Sequence, residues 1–409
     1  MPSSPRRVAI VLSGGGARGA YEAGVLSYLF EHIYPRLGRP FEFDLVSGTS
    51  VGAIHAAYLA ASADLAPEQR SRMIRDVWCG MELRHVVRLT LRDLLGFPLR
   101  ALGLTRIARA DDGDTRATVG GLLDLSPLEK IVTARIPWAG LRGNLEAARP
   151  GLLCVSCTEV RSGRVAVFMD GPLADPTPWA YDPNATAISE EIGPRHVRAS
   201  AAIPFLFPSV RIGEHYYVDG GLRMNTPLSP ALRLGADRVL VIALKHEPGL
   251  LGHADAYPED VVTQPAFVLG KVLNALLLDQ LEYELQRIDL VNAWIEHGRK
   301  VYGADFLKQM NPAVRQQRGA GYRHVRVATI RPGRDIGEMA DDCYHQRVRE
   351  KSLGSMRFMA RLALRGVPRG EADLLSYLLF DGCYTSQLVE LGRADARANE
   401  DEIVALLTD

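Results

Sequence analysis

An apolar run that stops at three glycines and resumes as a helix constrains this chain most. "VAIVLSGGGARGAYEAGVL", from Val8 to Leu26, reads as buried strand, tight turn and helix. The alternation recurs. "FEFDLVSG" reads as a second strand and Val51–Ser62 as a second helix. "LLCVSCTEV", "RVAVFM", "HYYVDGG", "DRVLVIAL" and "YRHVRVATI" read as further strands, and Tyr21–Tyr34 and Asp260–His297 as helical. Short buried strands between helices predict an α/β layered fold with a mostly parallel central sheet. After "IRPGRD" the pattern is helical to the end, which places a boundary near residue 335.

A chain of 409 residues can bury one large domain with an appendage, or two domains. Its formal net charge is zero, which gives no electrostatic pull toward nucleic acid. Five cysteines without framework spacing argue against a disulfide scaffold. Cys154 and Cys157 spell C-x-x-C inside a strand, where residues three apart face opposite ways, so they read as two buried structural thiols. Arg6 and Arg7 precede an apolar run of only about six residues, shorter than a secretory core. No stretch reaches the roughly 20 apolar residues of a membrane span. The expected location is the cytoplasm, or a membrane surface reached from the cytoplasmic side.

Gly14, Gly16 and Gly19 fit G-x-G-x-x-G, the dinucleotide fingerprint. That site wants an acidic residue at the end of the second strand. Here the strand ends in Val46-Ser47-Gly48, and Asp44 lies too early within it. In place of a ribose hook stands Gly48-Thr49-Ser50-Val51-Gly52, G-x-S-x-G between strand and helix. In that context the serine Oγ is presented on a sharp turn at a helix N-terminus, as a nucleophile requires. Ser200, in "RASAAIP", is the next serine to weigh. Consecutive N–H groups at Gly14, Gly15 and Gly16 could then hold an oxyanion. Two groups could take the Ser50 proton. Asp219 follows an apolar strand and precedes Gly220 and Gly221, and His246 lies at a strand end. His55 points away along its helix, and His215 lies roughly 13 Å back from Asp219.

"GGGARG" at 14–19, "GTSVG" at 48–52 and "DGG" at 219–221, in that order, resemble the patatin-like phospholipase family. "RASAAIPFLFP" at 198–208 and the pair Asn225 and Pro227 are similar to further family segments. The resemblance implies a three-layer α/β/α fold and a Ser–Asp dyad without a catalytic histidine. It implies Ser50 as nucleophile, Asp219 as base, and Gly14, Gly15 and Gly16 as the oxyanion loop. Arg18, Gly19, Gly48, Gly52, Gly220 and Gly221 match family positions around them. The expected division is a patatin-like catalytic domain over residues 1–335, with a cap or membrane-contacting insertion over 80–125, and a helical extension over 336–409.

The resemblance also implies an ester of phospholipid or lysophospholipid as substrate, with hydrolysis the leading reaction. An acyltransferase using a lipid alcohol, a non-catalytic lipid-binding protein and a dinucleotide oxidoreductase are the alternatives. A dyad needs no metal or cofactor, and no metal-ligand spacing stands out. Between 82 and 110, Arg84, Arg88 and Arg92 share a helix face beside Val87, Leu91, Leu94 and Leu95. Such a basic amphipathic stretch could lie on an anionic membrane, cover an acyl site or pack on the core.

Overall fold

The computed structural model describes residues 7–86, 126–204, 207–246, 263–278, 280–350, 360, 363–364, 367–368 and 372–408. Nine strands form one sheet: β1 Val8–Leu12, β2 Leu45–Thr49, β3 Leu152–Glu159, β4 Val165–Asp170, β5 Ala185–Ser189, β6 Val210–Ile212, β7 His215–Asp219, β8 Arg238–Ile242 and β9 Arg326–Ile330. Their order is β5-β4-β3-β2-β1-β8-β9, with β7 also on β3 and β6 on β7. The path β3-β2-β1-β8-β9 is parallel throughout. β4 and β7 join β3 antiparallel, so the sheet is mixed at one side.

Strand periodicity makes the layers. Val8, Ile10 and Leu12 enter one hydrophobic core, while Ala9 and Val11 enter the other. Leu240 and Ile242 divide from Val239 and Val241 in the same way. Both faces are covered, which is why these strands read as unbroken apolar runs. The result is a three-layer α/β/α sandwich. Cys154 and Cys157 fall in opposite cores, both buried, as strand alternation requires.

Helices Gly19–Tyr28, Val51–Ala61 and Pro67–Cys79 form one outer layer. The C-terminal helices complete it. Tyr384, Leu388 and Val389 of helix Gly382–Ala398 are fully buried in the core shared with helix Gly19–Tyr28. The two helices touch through glycine: a Cβ at Gly24 would lie 2.1 Å from the Val389 carbonyl oxygen. Leu228, Ala231, Leu281 and Ile288 fill the opposite core.

β2 begins at Leu45, later than the sequence suggests. Asp44 instead closes the strand start, its N–H donating to Val8 O (2.9 Å) and its Oδ2 accepting from Val8 N (2.7 Å). Strand β5 was not legible in the sequence; it lies half-exposed on β4. No helix among the described residues is long and apolar enough to cross a membrane. Of the basic stretch at 82–110, Arg84 is exposed and paired with Glu82, and residues from 87 on lie outside the described residues.

Candidate active site

Strand β3 brings two distant chain segments end to end. β2 pairs with it up to Thr49 opposite Ser156, and the next β3 residue, Cys157, pairs with Asp219 at the end of β7. β2 runs parallel to β3 and β7 antiparallel, so their C-termini meet. Ser50, one residue past β2, therefore lies beside Asp219. Its Oγ donates to Asp219 Oδ2 at 2.6 Å, and Asp219 Oδ1 accepts from Gly221 N at 2.7 Å. One carboxylate oxygen is held by the backbone and the other faces the serine.

Ser50 has φ 55° and ψ −123°, a conformation that L residues rarely adopt, immediately before helix Val51–Ala61. The turn closes because Gly48 and Gly52 carry no side chain: a Cβ on Gly48 would lie 2.1 Å from Gly52 O. Ser50 N donates to Ser200 Oγ (2.8 Å), and Ser200 Oγ donates to Ser156 O (2.6 Å). The single Ser200 proton is thus committed to β3, and Ser200 braces the elbow instead of competing as nucleophile. Asp219 is buried, and burial pushes its carboxyl up from 3.8 to about 6 against the lowering bonds from Ser50 and Gly221.

The glycine loop is clasped to the segment after Asp219. Gly14 N donates to Asn225 O (3.1 Å), and Asn225 Nδ2 donates to Gly14 O (3.0 Å). A Cβ on Gly14 would lie 3.0 Å from Ser50 Cβ, so the loop runs directly against the serine. Gly16 has φ 57°, and Arg18 N donates to Gly15 O (3.1 Å) to close the turn. Among the described residues, the N–H groups of Gly15 and Gly16 have no hydrogen-bond partner.

A buried polar chain supports both loops. Ser13 N donates to Glu22 Oε1 (2.7 Å), Glu22 Oε2 contacts His55 Nδ1 (2.7 Å), and Trp78 Nε1 donates to His55 Nε2 (2.9 Å). Indole can only donate, so His55 accepts at Nε2 and carries its proton on Nδ1, toward Glu22. This ties the end of β1, just before the glycines, to the helix that starts at the elbow.

A sequence model of the patatin-like phospholipase family matches residues 10–232, more than half of the chain and the span that holds all of these elements. The chain belongs to the patatin-like phospholipase family. It is similar to a stretch of "Lysophospholipase nte1" of Aspergillus terreus, 42% identical over 62 residues, covering 15% of this chain and 4% of that protein. It is also similar to "Uncharacterized protein YjjU" of Escherichia coli, 25% identical over 243 residues, covering 59% of this chain and 53% of that protein. The chain thus spans about half or less of the curated relatives it matches. VipD from Legionella pneumophila overlays loosely, with TM-score 0.31 and 13% identity, over 94% of this chain and 92% of VipD.

The basic position of this patatin-like chain, Arg18, is 3% exposed and faces away from Ser50 chemistry. Its Nε donates to Ser376 Oγ (2.8 Å), and its guanidinium lies 4.0 Å from the Tyr377 ring centre. It fastens helix Asp373–Leu378 onto the glycine loop, a role that residue spacing could not disclose. His246 Nδ1 contacts Pro332 O (2.8 Å), and His215 contacts Glu159 at the surface. Among the described residues, no histidine bonds to Ser50 or Asp219. The ligating atoms of Cys343, Asp381 and Cys383 come within 4.8 Å of one another, Cys343 being distant in sequence from the other two. Asp381 Oδ1 is occupied there by Arg347 and by Cys383 N.

Proposed function

We propose that this chain is a serine lipid acyl hydrolase that works through a Ser50–Asp219 dyad and an acyl-enzyme. The observation that carries the reading is the 2.6 Å bond between Ser50 Oγ and Asp219 Oδ2 on a strained elbow. Ser50 Oγ attacks the ester carbonyl while Asp219 Oδ2 takes its proton. The tetrahedral oxyanion is held by the N–H groups of Gly15 and Gly16, aided by the N-terminus of helix Val51–Ala61. Gly14, its N–H committed to Asn225, supplies close approach. The C–O bond then breaks, and the departing alkoxide takes the proton back from Asp219. Water next attacks the acyl-serine, giving its proton to Asp219; the Ser50 Oγ–acyl bond breaks, Asp219 returns the proton to Ser50 Oγ, and the fatty acid leaves.

The substrate class favoured by the family and by the lysophospholipase relative is a phospholipid or lysophospholipid. A lipid alcohol in place of water would give acyl transfer on the same dyad. The domain division at residue 335 and peripheral membrane contact through 82–110 stay part of this proposal. The decisive experiment is labelling with a fluorophosphonate, followed by peptide mapping, alongside fatty-acid release from lysophosphatidylcholine. The adduct is expected on Ser50, with both signals lost in Ser50→Ala. An adduct on Ser200, or fatty-acid release surviving in Ser50→Ala, sinks the dyad.

A further inference from the structure

At the far end of the sheet from Ser50, a pocket of about 180 Å³ opens between helices Leu228–Arg233, Gln280–Tyr302 and Phe306–Arg318 and the segment leading into β9. Ser50 follows the C-terminal end of β2, whereas this pocket meets Val325, one residue ahead of β9. Four guanidinium groups line it: Arg233, Arg287, Arg318 and Arg323. Arg233 is committed to Asp182 and Ser229. Arg323 has Asp237 at 3.8 Å and donates NH1 to Gly235 O, but its buried Nε has no partner. Arg318 stacks 5.0 Å from the Tyr322 ring centre and has no acidic partner among the described residues. Arg287 is exposed, opposed by Glu284. Glu284 Oε2 has neither solvent contact nor a hydrogen-bond partner.

Around the pocket four arginines therefore meet three acidic side chains, and Arg287 and Arg318 have no ion pair there among the described residues. Burial, and then the repulsion of Arg233, Arg287 and Arg323, holds the Arg318 guanidinium below its ordinary range. A polyanion would relieve that repulsion. Donors on three different helices or loops suit a tetrahedral oxyanion better than a planar carboxylate. Ile288 and Val325 supply an apolar wall. The space holds on the order of six water molecules, which suits a small metabolite or a head group.

We propose that this pocket binds a small hydroxylated phosphomonoester. The phosphate takes hydrogen bonds from the Arg287, Arg318 and Arg323 guanidinium groups, and a hydroxyl donates to the Glu284 carboxylate. The site is separate from the dyad and does not depend on it. The test is calorimetric titration of the full chain with sn-glycerol 3-phosphate and with inorganic phosphate, and cosedimentation with vesicles containing lysophosphatidate, whose head group keeps a free hydroxyl. Saturable binding of glycerol 3-phosphate is expected. Arg318→Gln and Arg287→Gln should each weaken it about 10-fold, the scale of one charge-assisted hydrogen bond. Arg287 is exposed, so a loss in that variant is not a folding defect. Glu284→Gln should weaken glycerol 3-phosphate and leave inorganic phosphate unchanged. Vesicle binding with the same arginine dependence, without binding of the free ester, would place the phosphate on a lipid head group. Absence of binding in both arms, or binding that both arginine variants retain, overturns the site; equal weakening of both phosphates by Glu284→Gln overturns the hydroxyl contact.

Discussion

Ser50 and Asp219 each hold a conformation or a charge that the fold would be more stable without. Ser50 is strained at φ 55°, and strain of this kind costs about 1–3 kcal/mol. Ser50→Gly and Ser50→Ala should both lose hydrolysis. In thermal melts the glycine variant should exceed the alanine variant by about 1 kcal/mol, because only glycine relaxes there. Asp219 binds its proton more tightly folded (about 6) than an ordinary carboxyl at 3.8. Its contribution to stability is therefore complete below 3.8 and is lost as pH rises through 6. Asp219→Asn removes that penalty, of order 1–3 kcal/mol at neutral pH. The variant should melt above wild type at pH 7–8, converge with it near pH 4, and hydrolyse nothing. In the wild type, hydrolysis should fall tenfold per unit as pH drops below about 6, since a protonated Asp219 accepts no proton. His246→Ala should stay active, because its ring is held by Pro332. An inactive His246 variant beside an active Asp219→Asn would reverse the assignment.

Turns and caps set the geometry at the scale of elements. Gly15→Val places a branched side chain where Leu244 already lies, its Cβ 2.4 Å from Leu244 Cδ1, and displaces the loop proposed to hold the oxyanion. kcat should fall about 10²-fold or more, the effect of losing one oxyanion donor, with the melting temperature changed far less. The Glu22–His55–Trp78 chain is the converse case, in which stability carries the cost. Glu22→Ala leaves Ser13 N and His55 Nδ1–H buried without acceptors. Two such orphaned donors cost about 3–5 kcal/mol, read as a lower denaturation midpoint in urea. Trp78→Phe removes one donor and should cost about 1–2 kcal/mol.

On the scale of the whole molecule, helix Gly382–Ala398 packs on the first helix and helix Glu400–Thr408 on β8 and β9. Tyr384, Leu388, Val389, Ile403 and Leu407 of these two helices are fully buried. At about 1.5–3 kcal/mol each, their burial amounts to roughly 10 kcal/mol, as large as the stability of an entire domain. A chain ending at residue 381 should therefore be insoluble or lack a cooperative melt. Recovery of a folded, active 1–381 fragment would show that the C-terminal helices are dispensable. The Arg18 contacts carry this dependence to the site, since helix Asp373–Leu378 rests on the glycine loop through Ser376 and Tyr377.

The sequence by itself determined the layered α/β class, the order of strands along the chain and the identity of the candidate nucleophile. Those follow from local periodicity and from glycines that only a turn explains. It also offered Asp219 as the expected base through the D-G-G resemblance, although strand-end position alone left His246 beside it. Only the tertiary structure sets Asp219 against Ser50: β7 meets β2 end to end on β3, while His246 is drawn to Pro332. Ser200 shows the same limit. It reads as a spare serine, yet its hydroxyl bridges Ser50 N and Ser156 O across 150 and 44 residues of chain. Arg18, Asn225 and the Glu22–His55–Trp78 chain owe their roles to pairings that no local pattern encodes. β5 was missed because an edge strand half in solvent lacks the apolar run that marks its buried neighbours.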